Sequence, residues 1–229
     1  MLPLAELEDK MGKLIVIEGV DGCGKQTQTE KLYQRLINEN KKVMKIAYPR
    51  YDNPSSSLVK MYLSGEFGKN PNDVSAYIAS IFYAADRYAS FKQDYETFYK
   101  EGGIIIADRY ATANIVHQTS KIADPVEREK FLNWLWDLEF NIFGIPVPDK
   151  VFFLNIPPET SMKLMENRKN KFSGETKKDI HESNPEYLKA TYENACSLIN
   201  KYNWTEIICT KNDELRTIDD IHEEIYNKI

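Results

Sequence analysis

The chain has 229 residues, with 30 Lys+Arg against 35 Asp+Glu and a formal charge of −5. That balance supplies no basic footprint for duplex nucleic acid or an anionic membrane surface, and no apolar run approaches the ~18 residues of a membrane span. A nucleic-acid polymer and a membrane are therefore excluded as expected partners, while 42% apolar residues suffice for a buried core.

Residues 1–10 contain Glu6, Glu8 and Asp9 and lack the pattern of a secretory signal. They read as an N-terminal appendage ahead of a single domain over 11–229, with Met11 as an alternative start. The apolar run Leu14–Ile17 ends at Gly19 and predicts a strand buried on both faces. Helical spacing from Lys25 to about Asn38, with Leu32 and Leu36 in step, is followed by a strand over Lys41–Ala47. Ser55–Leu63 and Asn72 to about Tyr99 read as helices, the second long and amphipathic through Ile78, Ile81, Phe82 and Ala85 until Gly102-Gly103 breaks it. Ile104–Ala107, Val151–Leu154 and Glu206–Thr210 supply three more strands. Alternation of this kind predicts an α/β fold, a parallel sheet flanked by helices on both faces. Residues 163–182 mix charges densely, with Lys163, Arg168, Lys169 and Lys171 among Glu166 and Glu175, and read as a solvated mobile flap. Three widely spaced cysteines, Cys23, Cys196 and Cys209, fit neither a disulfide framework nor a zinc site and suggest a reducing, cytoplasmic setting.

Gly19-Val20-Asp21-Gly22-Cys23-Gly24-Lys25-Gln26-Thr27 stands between a predicted strand and a predicted helix, the context a phosphate loop requires. Glycines let successive N–H groups converge on an anion, the helix N-terminus adds partial positive charge, and Lys25 brings a mobile cation. Gln26 occupies the place where the signature has Ser or Thr as a magnesium ligand, with Thr27 next. A glutamine carbonyl can still reach magnesium, directly or through water. Cys23 reads as a small residue in the loop, with no His or Asp beside it in sequence to activate a thiolate.

Tyr48-Pro49-Arg50 after the second strand, Tyr83-Ala84-Ala85-Asp86-Arg87 on the long helix and Asp108-Arg109-Tyr110 at a strand end follow the phosphate loop in order. With Gly19-x-Asp21, these motifs make the chain resemble the thymidylate kinase family from about Lys13 onward. The resemblance implies a P-loop kinase core with a flexible lid, usually a homodimer, moving the γ-phosphoryl of ATP to dTMP with magnesium for dTTP synthesis. It assigns Gly19, Gly22, Gly24, Lys25, Gln26 and Thr27 to the ATP phosphates, and Arg50 and Arg109 to the acceptor phosphate. It places Arg87 and Asn114 on the thymine edge, Tyr83 against the base, Asp21 on the deoxyribose hydroxyl and His117 near the sugar. Asp108 becomes a magnesium or water contact. Because Gly22-Cys23 offers no cation, the resemblance takes the catalytic lid cation from Arg168, Lys169 and Lys171. Asp179-Ile180-His181-Glu182 is similar to the acidic segment closing that lid, with His181 replacing an aromatic residue.

Blander readings exist for each residue. Asp86 and Arg87 alone would read as a surface pair on a helix, and Asp108 as a helix cap. Thr210-Lys211-Asn212-Asp213 imitates a guanine-reading motif, but no Asp-x-x-Gly switch lies between it and the phosphate loop. Another P-loop nucleotide or nucleoside kinase is the runner-up, and a catalytically silent nucleotide-binding module, motivated by Gln26, is the third reading.

Overall fold

A computed structural model describes residues 11–165, 179–212 and 214–229. Strands β1 (Lys13–Glu18), β2 (Val43–Ala47), β3 (Ile104–Asp108), β4 (Lys150–Asn155) and β5 (Thr205–Ile208) form a parallel sheet in the order β2-β3-β1-β4-β5. The helices are α1 (Lys25–Asn38), α2 (Ser57–Leu63), α3 (Ala76–Ser90), α4 (Glu96–Lys100), α5 (Ala111–Thr119), α6 (Pro125–Trp136), α7 (Pro158–Met165), α8 (Pro185–Lys201) and α9 (Ile218–Tyr226). A two-stranded antiparallel pair, β6 (Thr210–Lys211) with β7 (Glu214–Leu215), precedes the last helix.

Successive strand side chains point to opposite faces, so an unbroken apolar run feeds two cores. Leu14 and Val16 join Ile105, Ala107 and Phe153 against helices α3 to α6 and α8. Ile15 and Ile17 join Ile106, Phe152 and Ile207 against Leu32 and Leu36 of α1 and Ile221 and Ile225 of α9. This is the predicted α/β architecture. It brings the carboxyl ends of β1, β2 and β3 together, since Asp108 lies in register with both Ile17 and Ala47. Open α/β sheets bind their ligands at such strand ends, where the strand order reverses.

Several boundaries differ from the sequence expectation. The long helix begins at Ala76, capped by Ser75 Oγ accepting from Ile78 N at 3.3 Å, after a 3-10 turn at Pro71–Asp73. It then widens into a π turn over Phe91–Tyr95 before α4, an insertion that apolar spacing alone does not encode. A 3-10 turn, Pro54–Ser56, precedes α2, and β2 starts at Val43 rather than Lys41. The last strand ends at Ile208. Cys209 N still donates to Asn155 O at 3.0 Å, but Thr210 leaves the main sheet to pair with Leu215, so the guanine-motif imitation at Thr210-Lys211 is part of a small hairpin.

Candidate active site

β1 runs directly into the phosphate loop. Gly22 at φ 81° and Gly24 at φ 86° occupy left-handed backbone that costs glycine nothing, and Gly24 is the N-cap of α1. The ammonium of Lys25 is buried over the loop, donating to Gly19 O at 2.9 Å and Val20 O at 2.8 Å. Cys23 is buried beside it, and burial raises its thiol above the ordinary range, in keeping with a packing residue. Gln26 and Thr27 are exposed at the start of α1.

A cleft lies next to the loop. Six residues expected on the acceptor nucleotide line it: Asp21, Tyr83, Arg87, Arg109, Asn114 and His117. Asp179, His181 and Glu182 close one side. Arg109 has a left-handed backbone at φ 66°, which turns its side chain back across the strand ends. Its Nη2 donates to Asp21 Oδ1 at 2.6 Å, its Nη1 to His117 Nε2 at 2.9 Å, and Glu18 Oε1 lies 3.6 Å away. Because guanidinium only donates, His117 Nε2 must be the acceptor and Nδ1 carries the proton. Burial first, then Arg109, push the His117 imidazole well below 6.5, so it is neutral beside the guanidinium. Burial likewise raises the Tyr83 phenol, whose ring meets Tyr62 edge-on.

Arg50 lies outside this cleft. It faces the neighbouring one with Gln26, Thr29 and Asp108, and the two clefts share Tyr48, Pro49 and Tyr51 as a common wall. Asp86 takes its N–H at 2.8 Å and its Nε at 3.2 Å, and Asp94 takes Nη1. The Asp86-Arg87 dipeptide is thus no surface pair, since Asp86 orients Arg50 and Arg87 turns the other way. In the Arg50 cleft, Asp108 Oδ1 and Thr29 Oγ1 are buried without a partner among the described residues. A hard cation held by one carboxylate, substrate phosphates and waters suits such a donor set, so Asp108 and Gln26 fit a magnesium site. Arg168, Lys169 and Lys171 lie outside the described residues.

Two site carboxylates escaped the sequence reading. Glu18, fully buried at the end of β1, accepts from Gly19 N at 2.9 Å and Thr112 Oγ1 at 2.6 Å, fixing the loop's first peptide. Its position directly before the glycine was the available signal. Glu139, in a π turn over Asp137–Ile142, is fully buried and pairs with Arg87 through both oxygens, with Nε at 3.1 Å. Asp137-Leu138-Glu139 gives no sequence sign of this.

Tyr62 OH joins His181 Nε2 at 2.9 Å and accepts from Lys121 Nζ at 2.8 Å, tying the 179–182 segment to α2. Asp179 Oδ1 caps that segment by accepting from His181 N and Glu182 N, each at 2.8 Å.

Comparisons with known proteins address the family and the fold. A thymidylate kinase from Plasmodium falciparum is 26% identical over 223 residues, covering 97% of this chain and 91% of its own. A probable thymidylate kinase from Thermococcus kodakarensis is 32% identical over 162 residues, covering 69% of this chain and 73% of its own. The solved thymidylate kinase of Candida albicans superimposes with a TM-score of 0.67 at 22% identity, covering 95% of this chain and 91% of that one, which establishes likeness of fold. Residues 17–225 match the family model described as thymidylate kinase, and the chain belongs to that family.

Proposed function

We propose that this chain transfers the γ-phosphoryl group of ATP to dTMP, forming dTDP and ADP. The carrying observation is the cleft itself, which Arg109, Tyr83, Arg87 and Asn114 line together directly beside a phosphate loop. A phosphate-monoester oxygen is largely ionised near neutral pH, so transfer needs little general-base help. The task is to bring two anions into line. Lys25 and the loop amides take the donor phosphates, while Arg109 and Arg50 take the acceptor phosphate, whose charge and geometry suit guanidinium forks. Asp21 accepts from the sugar hydroxyl at the edge of the Arg109 pair, and His117 packs beside that sugar. Tyr83 covers the base, and Arg87 with Asn114 reads its edge.

Asp108 and Gln26 would hold magnesium, which when bound would neutralise charge on the phosphates. Residues 11–229 act as one kinase unit, residues 1–10 as an appendage, and the 163–182 region as a lid that contributes Arg168 or a neighbouring lysine. Lid closure keeps water from the γ-phosphoryl group. The working form is a homodimer in the cytoplasm. Among the described residues, no helix is long and apolar enough to cross a membrane. The exposed row Ile78, Ile81 and Tyr88 on α3 supports self-association.

A coupled ADP-release assay with an acceptor panel tests the reading. The expected order is dTMP first and dUMP weaker, because a pocket for the thymine methyl discriminates by only ~1–3 kcal/mol, with dAMP and dGMP rejected. Equal turnover of the purine nucleotides would defeat the pocket assignment, as would an unchanged rate in Lys25→Ala for the phosphate loop.

A further inference from the structure

Three elements meet behind the base end of the cleft. Arg87 and Ser80 come from α3, Asn114 from α5, and Glu139 from the π turn after α6. Glu139 has no exposed surface and Arg87 almost none. Among the described residues the Ser80 hydroxyl is buried here without a partner, while Arg87, Asn114 and Glu139 satisfy one another, so their hydrogen-bond count is restrictive.

Arg87 commits Nε and one Nη2 hydrogen to the two carboxylate oxygens of Glu139. Nη1 remains as the donor that Arg87 offers to the cleft it lines. Asn114 uses its amide nitrogen on Ser80 O at 3.1 Å and Glu139 Oε1 at 3.3 Å. Both partners are pure acceptors. Turning the amide over would set its oxygen against a carbonyl and a carboxylate together, so Nδ2 stays inward and Oδ1 is the group left for the cleft. The wall therefore presents a donor from Arg87 beside an acceptor from Asn114, and Glu139 holds both.

We infer that Glu139 is the positioning residue that sets the hydrogen-bond polarity of the base pocket, selecting 4-oxo pyrimidine nucleotides over 4-amino ones. A 4-oxo pyrimidine offers an N3–H to Asn114 Oδ1 and an O4 to the Arg87 guanidinium. A 4-amino pyrimidine opposes acceptor with acceptor and donor with donor at the same two points. Such unpaired buried groups discriminate far more strongly than a methyl group does. This inference rests on the reading of the cleft as the thymidylate pocket.

The experiment measures equilibrium binding of dTMP and dCMP to the full chain and to Glu139→Gln. A glutamine side-chain amide can face Asn114 with its own N–H₂, which releases the Asn114 amide to turn. The expected result is weaker dTMP binding with the dTMP-over-dCMP preference narrowed tenfold or more, ATP binding unchanged, and any rise in KM for dTMP exceeding the fall in kcat. Should Glu139→Gln fail to fold, Glu139→Asp keeps the charge opposite Arg87 but draws the carboxylate back from Asn114, and is read the same way. Survival of the full wild-type preference in the folded variant overturns the inference. So does equal loss of both nucleotides, the mark of a collapsed pocket. If the unmodified chain itself binds dCMP as tightly as dTMP, it is the thymidylate-pocket reading that fails.

Discussion

Arg109 Nη2 donates to Asp21 Oδ1 at 2.6 Å while its other terminal nitrogen donates to His117, so one guanidinium joins the phosphate loop to α5. The left-handed backbone of Arg109 is strain held in place by these partners and by Glu18. Removing one preorganised charged donor from a transition state costs about 10²–10³ in rate. Arg109→Ala is expected to lose kcat on that order. Arg109→Lys keeps the charge but cannot span Asp21 and His117 together, and is expected to recover only part of the loss in steady-state kinetics.

The Arg87–Glu139 pair sets a trap for simple alanine scanning. Deleting one partner of a buried ion pair costs ~3–5 kcal/mol because the other charge is stranded, whereas apolar replacement of both is often neutral. Arg87→Met is expected to fall in stability by about that amount, and Arg87→Met/Glu139→Leu to recover most of it in urea unfolding. The double variant should still bind ATP and should not bind dTMP. Measuring both ligands separates a lost pocket from a lost fold.

Much of the site could be read from local signals, and the exceptions share one physical cause. The phosphate loop, the strand end at Asp108-Arg109 and the Arg87 position are each carried by a short motif on one element. Glu139 acts 52 residues from Arg87, and only the packing of α3 against the turn after α6 brings them together. Arg50 is legible as a residue but not its restraint by Asp86 on α3 and by Asp94 in the π turn at Phe91–Tyr95, which only the packed structure brings to it. The buried strands were found because two-sided burial leaves an unbroken apolar run. Their order was not, since neighbours in a sheet leave no pairwise trace in one chain.

Gly22 and Gly24 separate backbone freedom from steric room. A Cβ at Gly22 would lie 2.7 Å from Ser161 O and 2.7 Å from Met165 Cγ, whereas one at Gly24 meets nothing within 4 Å. Both substitutions carry the left-handed backbone penalty of ~1–2 kcal/mol. Gly22→Ala must also push α7 off the loop, so it is expected to lose more stability and more ATP affinity than Gly24→Ala. Paired urea titrations and ATP calorimetry check the order.

Ile78, Ile81 and Tyr88 stay between 41% and 47% exposed at helical spacing on one face of α3. If that face forms the proposed dimer, Ile81→Asp places a charge in a dry interface and should shift the chain to monomer in light scattering. Because α3 also carries Tyr83 and Arg87, KM for dTMP is expected to rise with dissociation. A dimer that persists in Ile81→Asp would move the interface elsewhere.

Asp179 gives the fold a pH dependence of definite sign. Burial raises its carboxyl from 3.8 to about 7, with Asp21 and Glu182 adding to the rise and the two backbone N–H donors opposing it. A folded-state pKa above the unfolded one means the native protein binds the extra proton between those values. The stability it contributes is therefore complete below 3.8 and is lost as pH rises through about 7. His181, lowered to about 3 by burial and then by Lys121, runs the other way, its contribution being present above 6.5 and lost as pH falls toward 3. Asp179→Asn keeps an oxygen to accept from His181 N and Glu182 N but has no proton to gain. The difference in urea midpoint between the two proteins isolates Asp179 from the histidines, which both retain. From pH 5 to pH 8 the unmodified chain is expected to lose stability relative to Asp179→Asn, and parallel profiles would show that the carboxyl does not titrate in that window.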